Sequence, residues 1–441
     1  MPASLSTART YADYPPHFRW VQLGLMMLLM LAISTPGYVW ALFVRPLQAD
    51  MQVSLSGIQV TFAIFMFMQA GFGPIVGWAV ERVPVRLAII TAGLLIIVGW
   101  IGAAYSQSLP ALYLTYGLCG GLATGIVGIV SVGFVAQWFP DRRGLAIGLS
   151  SGAMGMGAVI TTFPISATIQ AYGHTQALLI FGTGIGVLCI LVGMMMRRVE
   201  SVAIPKSRQT VAAFGMDQRH YRPSEMLKTP VFWLLFVMMA CIATSGLMIV
   251  SQLGAIAGDY GVDRMTVFGL AALPLALTVD RIMNGVTRPF FGWVSDRIGR
   301  PNTMALAFFL EAASVYCLYT FAHDPLLFVL ISGVVMFGWG EIYSLFPASL
   351  SDYFGTKFSS ANWGFLAVAI AISGILAAPL AALLREHYNS WGPVFHTVVV
   401  LDLCTVVLAY FVLKPMHARW TQSAKAPAAA AGGSPAHSTQ A

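Results

Sequence analysis

The chain has 441 residues, of which 58% are hydrophobic and only 9% are charged, whereas a soluble domain carries roughly 25% charged residues. This composition excludes an ordinary soluble enzyme, and repeated apolar runs of about 20 residues are long enough to cross a bilayer as helices. The net charge of +7 comes from 24 Lys and Arg residues against 17 Asp and Glu residues. The apolar composition therefore predicts a polytopic helical membrane protein that lies in a lipid bilayer and binds no nucleic acid.

Apolar runs separated by charged residues, Pro or Gly predict twelve membrane-spanning helices. In the first half we expect these spans at residues 21–44, 55–80, 87–105, 110–137, 144–171 and 176–196. In the second half we expect them at residues 230–258, 266–294, 302–321, 325–351, 360–384 and 391–413. The predicted fold is therefore an all-α integral membrane protein with two pseudo-symmetric six-helix bundles, which occupy residues 21–196 and 230–414.

Three segments are predicted to lie outside the bilayer. Residues 1–20 are polar and lead into a long apolar helix, so we expect no cleaved signal peptide. Residues 197–229 form a polar linker between the bundles. Residues 415–441 contain mainly Ala, Gly, Pro and Ser without a periodic pattern, and we expect this tail to be disordered because it cannot bury enough surface.

The basic residues indicate an orientation. Of the 24 Lys and Arg residues, nineteen fall on one side of the predicted topology, and two, Arg281 and Arg288, fall within a helix. The other side receives only Arg45, Arg264 and Arg385. Cytoplasmic loops are enriched in Lys and Arg. We therefore expect both termini and the linker to be cytoplasmic, in a multi-pass protein of the inner or plasma membrane.

Two segments repeat at corresponding points of the halves. The second helix is followed by GWAVERVPVR (77–86) and the eighth by GWVSDRIGRP (292–301), which indicates an internal repeat. The spacing G-x-x-x-[DE]-R resembles the loop motif of the major facilitator superfamily. We expect these charges to clamp helices within each bundle, with ligand binding as the alternative. The motif residues are Gly292, Asp296, Arg297, Gly299 and Arg300, matched more weakly by Gly77, Glu81, Arg82 and Arg86.

Ionisable residues inside membrane helices are costly and mark function by default. Arg281, Asn284 and Arg288 share one stripe of the eighth helix. The planar fork of an arginine suits a carboxylate, so Arg288 is a candidate substrate anchor, with a structural ion pair as the alternative. Six intramembrane charges are predicted, at Asp280, Arg281, Arg288, Glu311, Glu341 and Asp402.

The four acidic members of this set have different expected roles. Asp280 is expected to neutralise the adjacent Arg281. Glu341 is expected to be a buried partner of Arg281, or else a protonation site. As candidates for proton coupling we rank Glu341 before Asp280, because Glu341 has no adjacent cation in sequence and burial favours the neutral acid. Glu311 and Asp402, in the ninth and twelfth helices, are expected to be structural or shallow.

Small and aromatic residues add two further expectations. Glycines at helical spacing predict close helix packing, at Gly117, Gly121 and Gly125 in the fourth helix and at Gly148, Gly152, Gly155 and Gly157 in the fifth. Tyr38 and Trp40 follow a Pro36-Gly37 break in the first helix, and an interrupted helix frees backbone groups beside a cavity. We therefore hold both aromatic residues as candidate pocket residues.

Five segments resemble the oxalate:formate antiporter family and its monocarboxylate-transporter relatives. They are YVWALFVRPL (38–47), QWFPDRRGLAIGL (137–149), SEMLKTPVFW (224–233), NGVTRPFFGWVSDRIGR (284–300) and GWGEIYSLFPASLSDYFGT (338–356). The resemblance implies alternating access and an organic anion bound between the bundles. It also implies that Arg288 is the substrate arginine of helix 8 and that Tyr38, Trp339 and Tyr343 line the pocket.

The sequence also departs from that family. The oxalate carriers hold a lysine in helix 11, where this chain has Ile370, and Gly37, Gly128 and Met154 replace larger or polar pocket residues. A less cationic pocket favours a monocarboxylate, carried by proton symport or anion exchange, unless Arg281 supplies a second charge. The alternatives are an oxalate/formate-type dicarboxylate antiporter and a drug:proton efflux pump.

Other classes of function lack their signatures. No nucleotide-binding G-x-x-x-x-G-K-[ST] loop is present, and no catalytic constellation suggests an enzyme. The five cysteines lie in apolar runs without metal spacing and are expected to be buried small hydrophobes. We expect no cofactor and no metal. The predicted partners are a small organic anion, protons in the case of symport, and the lipid bilayer, for a monomeric carrier.

Overall fold

A computed structural model describes residues 13–197, 199 and 220–416. The expectations for the first twelve residues, for most of the linker and for the tail beyond residue 416 lie outside these residues. The described chain is almost entirely helical. Its only strands, within those ranges, form a short hairpin in the second half.

The first half contains six spans. The first is α1 (Phe18–Ile33) with α2 (Thr35–Met51), and the third is α5 (Val85–Ala104). The second joins α3 (Leu55–Met66), a π-helical segment (Phe67–Gly71) and α4 (Gly73–Val80), and the fourth joins α6 (Leu109–Leu112), a π-helical segment (Tyr113–Gly120) and α7 (Gly121–Trp138). The fifth and sixth form α8 (Arg143–Met195), which is interrupted at Gly173, where φ is 82°.

The second half begins with the short helix α9 (Pro223–Met226) and contains the other six spans. They are α10 (Pro230–Asp259), α11 (Ala272–Ile298), α12 (Arg300–Phe321), the pair α13 (Pro325–Trp339) and α14 (Ile342–Phe354), α15 (Ser359–Tyr388), and α16 (Gly392–Val407) continued by a π-helical segment (Leu408–Leu413). A 3-10 turn (Val262–Arg264) and an antiparallel hairpin of β1 (Thr266–Val267) and β2 (Leu270–Ala271) precede α11.

The number of spans agrees with the prediction. Among the described residues, nine helices are long and apolar enough to cross a membrane, and the bent pair of the second span makes ten. The interruption at Gly173 divides α8 into two spans, and α11, which carries five charged residues, completes twelve. The eighth span was predicted six residues too early, because residues 266–271 form the hairpin. All five cysteines are free, but only Cys189 is buried as predicted: Cys404 is exposed, and the other three are half-buried.

The first span is broken at Ser34, two residues before the predicted position. Pro36 lies in the first turn of α2, where its missing N–H costs no hydrogen bond. The break is held from the fourth span, because the Tyr116 hydroxyl donates a hydrogen bond of 2.6 Å to the Pro36 carbonyl. The Pro36 carbonyl beside the break therefore finds its hydrogen-bond partner within the first bundle.

Glycines bring the spans into backbone contact, as their spacing predicted. In the fourth span, a Cβ on Gly125 would lie 2.8 Å from the Gln69 backbone oxygen of the second span. In the fifth span, Gly148, Gly152 and Gly155 instead pack across the two halves, since a Cβ on Gly152 would lie 2.7 Å from the Gly285 oxygen of α11, whereas Gly157 packs against the first span. The fifth and eighth spans thus form one contact between the bundles, and the second and eleventh form another.

Candidate functional site

Arg288 lies in α11 at the contact with α8 and is only 3% exposed. Its Nη1 donates to the Ser151 carbonyl of the fifth span at 2.5 Å, and its Nη2 donates to Asn284 Oδ1, one turn away, at 2.7 Å. Its Nε has no hydrogen-bond partner, and no carboxylate of the described residues forms an ion pair with it. Arg288 is therefore a buried cation with a free donor and no direct ion pair in the described part of the chain.

Two tyrosines from different halves flank this arginine. The Arg288 guanidinium carbon lies 4.5 Å from the ring centroid of Tyr343 in α14, and the Tyr38 phenol of α2 also faces the guanidinium. The Arg281 guanidinium carbon lies 4.9 Å from the Tyr38 ring centroid. The structure therefore brings Arg281, Asn284, Arg288, Tyr38 and Tyr343 together, as a cluster to which both bundles contribute.

The space beside Arg281 is open. Arg281 lies nine residues into α11, which corresponds to a depth of about 14 Å at 1.5 Å per residue, yet its side chain is exposed. Because Arg281 contacts Tyr38 of the other half, this exposed surface lies between the bundles. Two turns further along, Arg288 is buried. The opening therefore ends at Arg288.

Two predicted pocket residues have other surroundings. The Trp40 indole is buried, lies 4.7 Å from the Tyr116 ring and donates to Gln59 Oε1 at 3.4 Å, so it packs inside the first bundle, away from Arg288. The Trp339 indole donates to the Ile242 carbonyl at 3.0 Å. Its ring lies 6.3 Å from that of Tyr343. Trp339 is therefore held by α10 and packs against the Tyr343 ring.

The acidic residues of the eighth and tenth spans form no direct ion pair with Arg281. Asp280 is buried and faces Ser332 of α13, and it interacts electrostatically with the adjacent Arg281 without a direct ion pair. Glu341, between α13 and α14, is fully buried and interacts electrostatically with Arg288. The predicted pairing of Glu341 with Arg281 was wrong. The prediction assumed a straight helix and could not place the eighth span against the tenth.

Glu311 and Asp402 are not shallow. Both carboxyl groups are 0% exposed, and none of their oxygen atoms has a hydrogen-bond partner in the described chain. The prediction placed the ninth and twelfth helices in an outer layer, which is compatible with an acidic side chain that points inward.

Comparison with known proteins identifies the family of this chain. The profile of the Major Facilitator Superfamily matches residues 23–283 and 273–436. The chain belongs to the Major Facilitator Superfamily. It is 31% identical over 401 residues to an oxalate:formate antiporter of Oxalobacter formigenes, which covers 90% of this chain and 92% of that protein. It is 24% identical to monocarboxylate transporter 12-B of Danio rerio, covering 74% and 72% respectively.

A solved structure supports the same assignment of the fold. The major facilitator superfamily transporter FucP, in its outward conformation, matches with a TM-score of 0.69 at 14% identity and covers 89% of this chain and 99% of that one. The predicted superfamily and its fold of two six-helix bundles are confirmed, and with them a role in membrane transport.

The superfamily loop motif forms a charged network at the end of the molecule that carries most of the Lys and Arg residues, here called the basic end. The Asp296 carboxylate accepts hydrogen bonds from the Gly144 and Leu145 N–H groups, both at 3.0 Å, and pairs with Arg300 at 2.8 Å. Asp352 pairs with Arg300 at 2.8 Å and with Arg143 at 3.0 Å.

This network departs from one prediction only in part. The charges were expected to clamp helices within each bundle, and Arg300 does so in the second, where it pairs with Asp296 of α11 and Asp352 of α14. Asp296 and Asp352 also bind Gly144, Leu145 and Arg143 of the first bundle, so the same network joins the two bundles. No role was predicted for Arg143 or Asp352, although both lie in segments that resemble the transporter family. Of the other motif residues, Gly299 adopts a φ of 88° at the turn, and Arg297 stacks 3.8 Å from the Trp293 ring centroid.

The weaker repeat makes a related contact on the other side. Glu81 Oε1 accepts a hydrogen bond of 3.2 Å from the Ala361 N–H at the start of α15. A Cβ on Gly77 would lie 2.6 Å from the Ala361 Cα, so no larger residue fits there. Nearby, Arg86 Nε donates to the Met196 carbonyl at 2.9 Å. The second and eleventh spans thus form the same kind of contact between the bundles as the eighth and fifth spans, with an acidic side chain bound to a backbone N–H group beside a close glycine contact.

The two ends of the molecule differ in these contacts. At the basic end, backbone and charge contacts join the bundles on both sides. At the opposite end, His174 pairs with Asp50 at 3.2 Å within the first bundle, and Arg385 pairs with Asp259 at 2.8 Å within the second. The bundles are therefore joined at the basic end. Arg281, on the other side of Arg288, is exposed between them, so the carrier is closed at its basic end.

Proposed function

We propose that this transporter carries a small monocarboxylate by alternating access, with Arg288 as the substrate anchor. The observation that carries the proposal is the state of Arg288, which is buried at the bundle interface with an unpartnered Nε and forms no direct ion pair with a carboxylate of the described residues. A carboxylate would supply the missing charge and accept hydrogen bonds from the guanidinium fork. Tyr38 and Tyr343 flank the position that it would take.

Further observations support an organic anion. The similar proteins are named an oxalate:formate antiporter and a monocarboxylate transporter, and a buried cation suits an anion better than the cationic substrate of a drug pump. Asn284 orients the guanidinium, and Trp339 supports Tyr343. Since the site is built from both halves of one chain, we propose a monomeric carrier. In this proposal the chain is not an enzyme.

One observation favours a second candidate, an oxalate-type dicarboxylate exchanger. Arg281 lies on the open side of the site and within electrostatic range of Arg288, so it could bind a second carboxylate. Against this, Arg281 is exposed to solvent, where a charge pair contributes little. Ile370, at the position where the oxalate carriers have a lysine, supplies no charge. We therefore place the monocarboxylate first.

Uptake into proteoliposomes tests this preference. We expect labelled formate, acetate or lactate to be taken up at least about tenfold faster than oxalate, a difference of about 1.4 kcal/mol, because a dianion needs a second fixed cation. Each substrate is measured with and without a pH gradient, which separates proton symport from exchange, and protein-free liposomes give the background. Fast, saturable oxalate exchange that is lost in Arg281→Gln would establish the dicarboxylate exchanger instead.

We also propose that the basic end faces the cytoplasm, as the distribution of Lys and Arg indicates. In a chain whose native cysteines are replaced, an impermeant maleimide should label Gln107→Cys in intact cells. Arg142→Cys should be labelled only after the cells are permeabilised. Gln107 lies in an exposed loop of the opposite end, and Arg142 is exposed at the basic end. The reverse pattern of labelling would invert the proposed topology.

A further inference from the structure

Three carboxyl groups form a buried group in the second bundle. Glu341 lies between α13 and α14, Glu311 lies in α12 and Asp402 lies in α16, and each residue is 0% exposed. None of their six oxygen atoms has a hydrogen-bond partner in the structure. Among the described residues, no three acidic, His or Cys side chains converge closely enough to hold a metal ion. The group therefore lacks the geometry of a cation site.

The three groups form a chain with Glu311 in the middle. Glu311 interacts electrostatically with both Asp402 and Glu341. The tenth span touches it directly, since a Cβ on Gly338 would lie 2.8 Å from Glu311 Cβ. We call Glu341, Glu311 and Asp402 the carboxyl chain.

The two ends of the carboxyl chain have different neighbours. Glu341 faces Arg288 of the proposed substrate site. Asp402 faces Ser245 and Cys241 of α10. Among the described residues, Glu341 is therefore the one member of the carboxyl chain that interacts with a cation.

For electrostatic reasons, most of the carboxyl groups in the carboxyl chain must be protonated. An ionised carboxylate buried without a partner costs several kcal/mol, and neighbouring carboxyl groups cannot readily ionise together. A single negative charge is most stable on Glu341, because Arg288 faces it. When a substrate carboxylate occupies Arg288, that charge becomes redundant. The protonation of Glu341 is then linked to the occupancy of Arg288.

We propose that the carboxyl chain is the proton-binding site of this transporter, and that it gains one proton when a carboxylate binds Arg288 and releases that proton when the carboxylate leaves. The proton forms an O–H bond on a Glu341 oxygen. The proton comes from the surrounding solvent and returns to it, so the total charge of the three interacting groups changes by one unit. This inference rests on the proposed carboxylate transport and extends it from one candidate acid to three.

Transport by Glu311→Gln gives the first test, because Glu311 has no contact with Arg288. We expect exchange of the transported monocarboxylate to stay within about twofold of wild type, and pH-driven accumulation to fall at least about tenfold. The matched control is Ser314→Ala, one turn along α12, whose hydroxyl bonds only to carbonyls of its own helix. Wild-type accumulation by Glu311→Gln would overturn the proposal. The proposal would also be overturned if Asp280→Asn lost pH-driven accumulation while Glu311→Gln and Glu341→Gln kept it.

Infrared difference spectroscopy of the protein in lipid gives a second test that needs no transport. We expect a carbonyl-stretch band of protonated carboxylic acid near neutral pH, which is weaker in Glu311→Gln and Asp402→Asn and stronger after acetate is added to the wild type. A wild-type spectrum without this band would overturn the proposal even if no variant folds. If the band is present but no carboxylate is transported, the proposed function fails, and so does the link to substrate, while proton storage stands.

Discussion

Arg288→Lys should reduce carboxylate transport by about 100-fold, a loss of about 3 kcal/mol, while the protein still inserts and folds. Arg288 uses its two terminal nitrogens to bind Ser151 and Asn284, which leaves Nε free and the guanidinium plane against Tyr343. A lysine ammonium is a point charge without a plane or a fork. It therefore cannot reproduce both the positioning bonds and the geometry offered to a carboxylate.

The measurement is initial uptake into proteoliposomes, with binding of the same substrate as a second readout. Arg385→Lys is the matched control, because Arg385 forms its ion pair with Asp259 at the opposite end of the molecule, and transport by this variant should be unchanged. Uptake by Arg288→Lys within about twofold of wild type would remove Arg288 from the site, since the loss of a bidentate pair must exceed that factor.

Gly292→Leu should open the basic end and reduce transport at least about tenfold. A Cβ on Gly292 would collide with the Gly144 backbone oxygen of the opposite bundle, so a leucine forces α8 and α11 apart. The Asp296 carboxylate then loses its bonds to the Gly144 and Leu145 N–H groups. Hydrogen bonds to a charged group contribute about 1.5–3 kcal/mol each, and losing two should shift the conformational equilibrium by about 100-fold or more.

Distances between spin labels at Arg142→Cys and Ile298→Cys, one in each bundle, report this opening directly. Gly184→Leu is the control, since a Cβ on Gly184 meets no atom within 4 Å. Folding is checked by thermal stability, and Gly292→Ala offers a smaller change of the same kind. An unchanged distance distribution in folded Gly292→Leu would show that this contact does not hold the basic end closed.

The fold was predictable because each membrane span must satisfy its own backbone hydrogen bonds within a fixed length, which leaves a clear pattern of apolar runs. The spacing of Gly148 and Gly152 also predicted close packing correctly. It could not show which helix they touch, because a small residue identifies a contact but not its partner. The hairpin at 266–271 was missed because its apolar residues continue the pattern of the eighth helix.

The candidate site was predictable where charge alone carries the signal. Arg288 and Tyr38 were identified from the cost of a buried cation, a helix break and a family resemblance, and the structure brings them together. The environments of Glu341, Glu311 and Asp402 were not predictable, because they depend on how three helices from separate parts of the chain are rotated. The same holds for Arg143 and Asp352, whose pairing joins residues 209 positions apart.

The π-helical segment Phe67–Gly71 fixes the angular phase of the second span. Such a segment accommodates one residue more than an α-helix of the same length, and each residue of a helix turns the chain by about 100°. Deleting one residue within this segment would restore ordinary α-helical geometry and keep Gly73, Gly77 and Glu81 turned toward the eleventh span, whereas a deletion in the α-helical residues that follow would turn Glu81 by about 100°. A relative one residue shorter within the π-helical segment could therefore build the same contact between the bundles from the same positions.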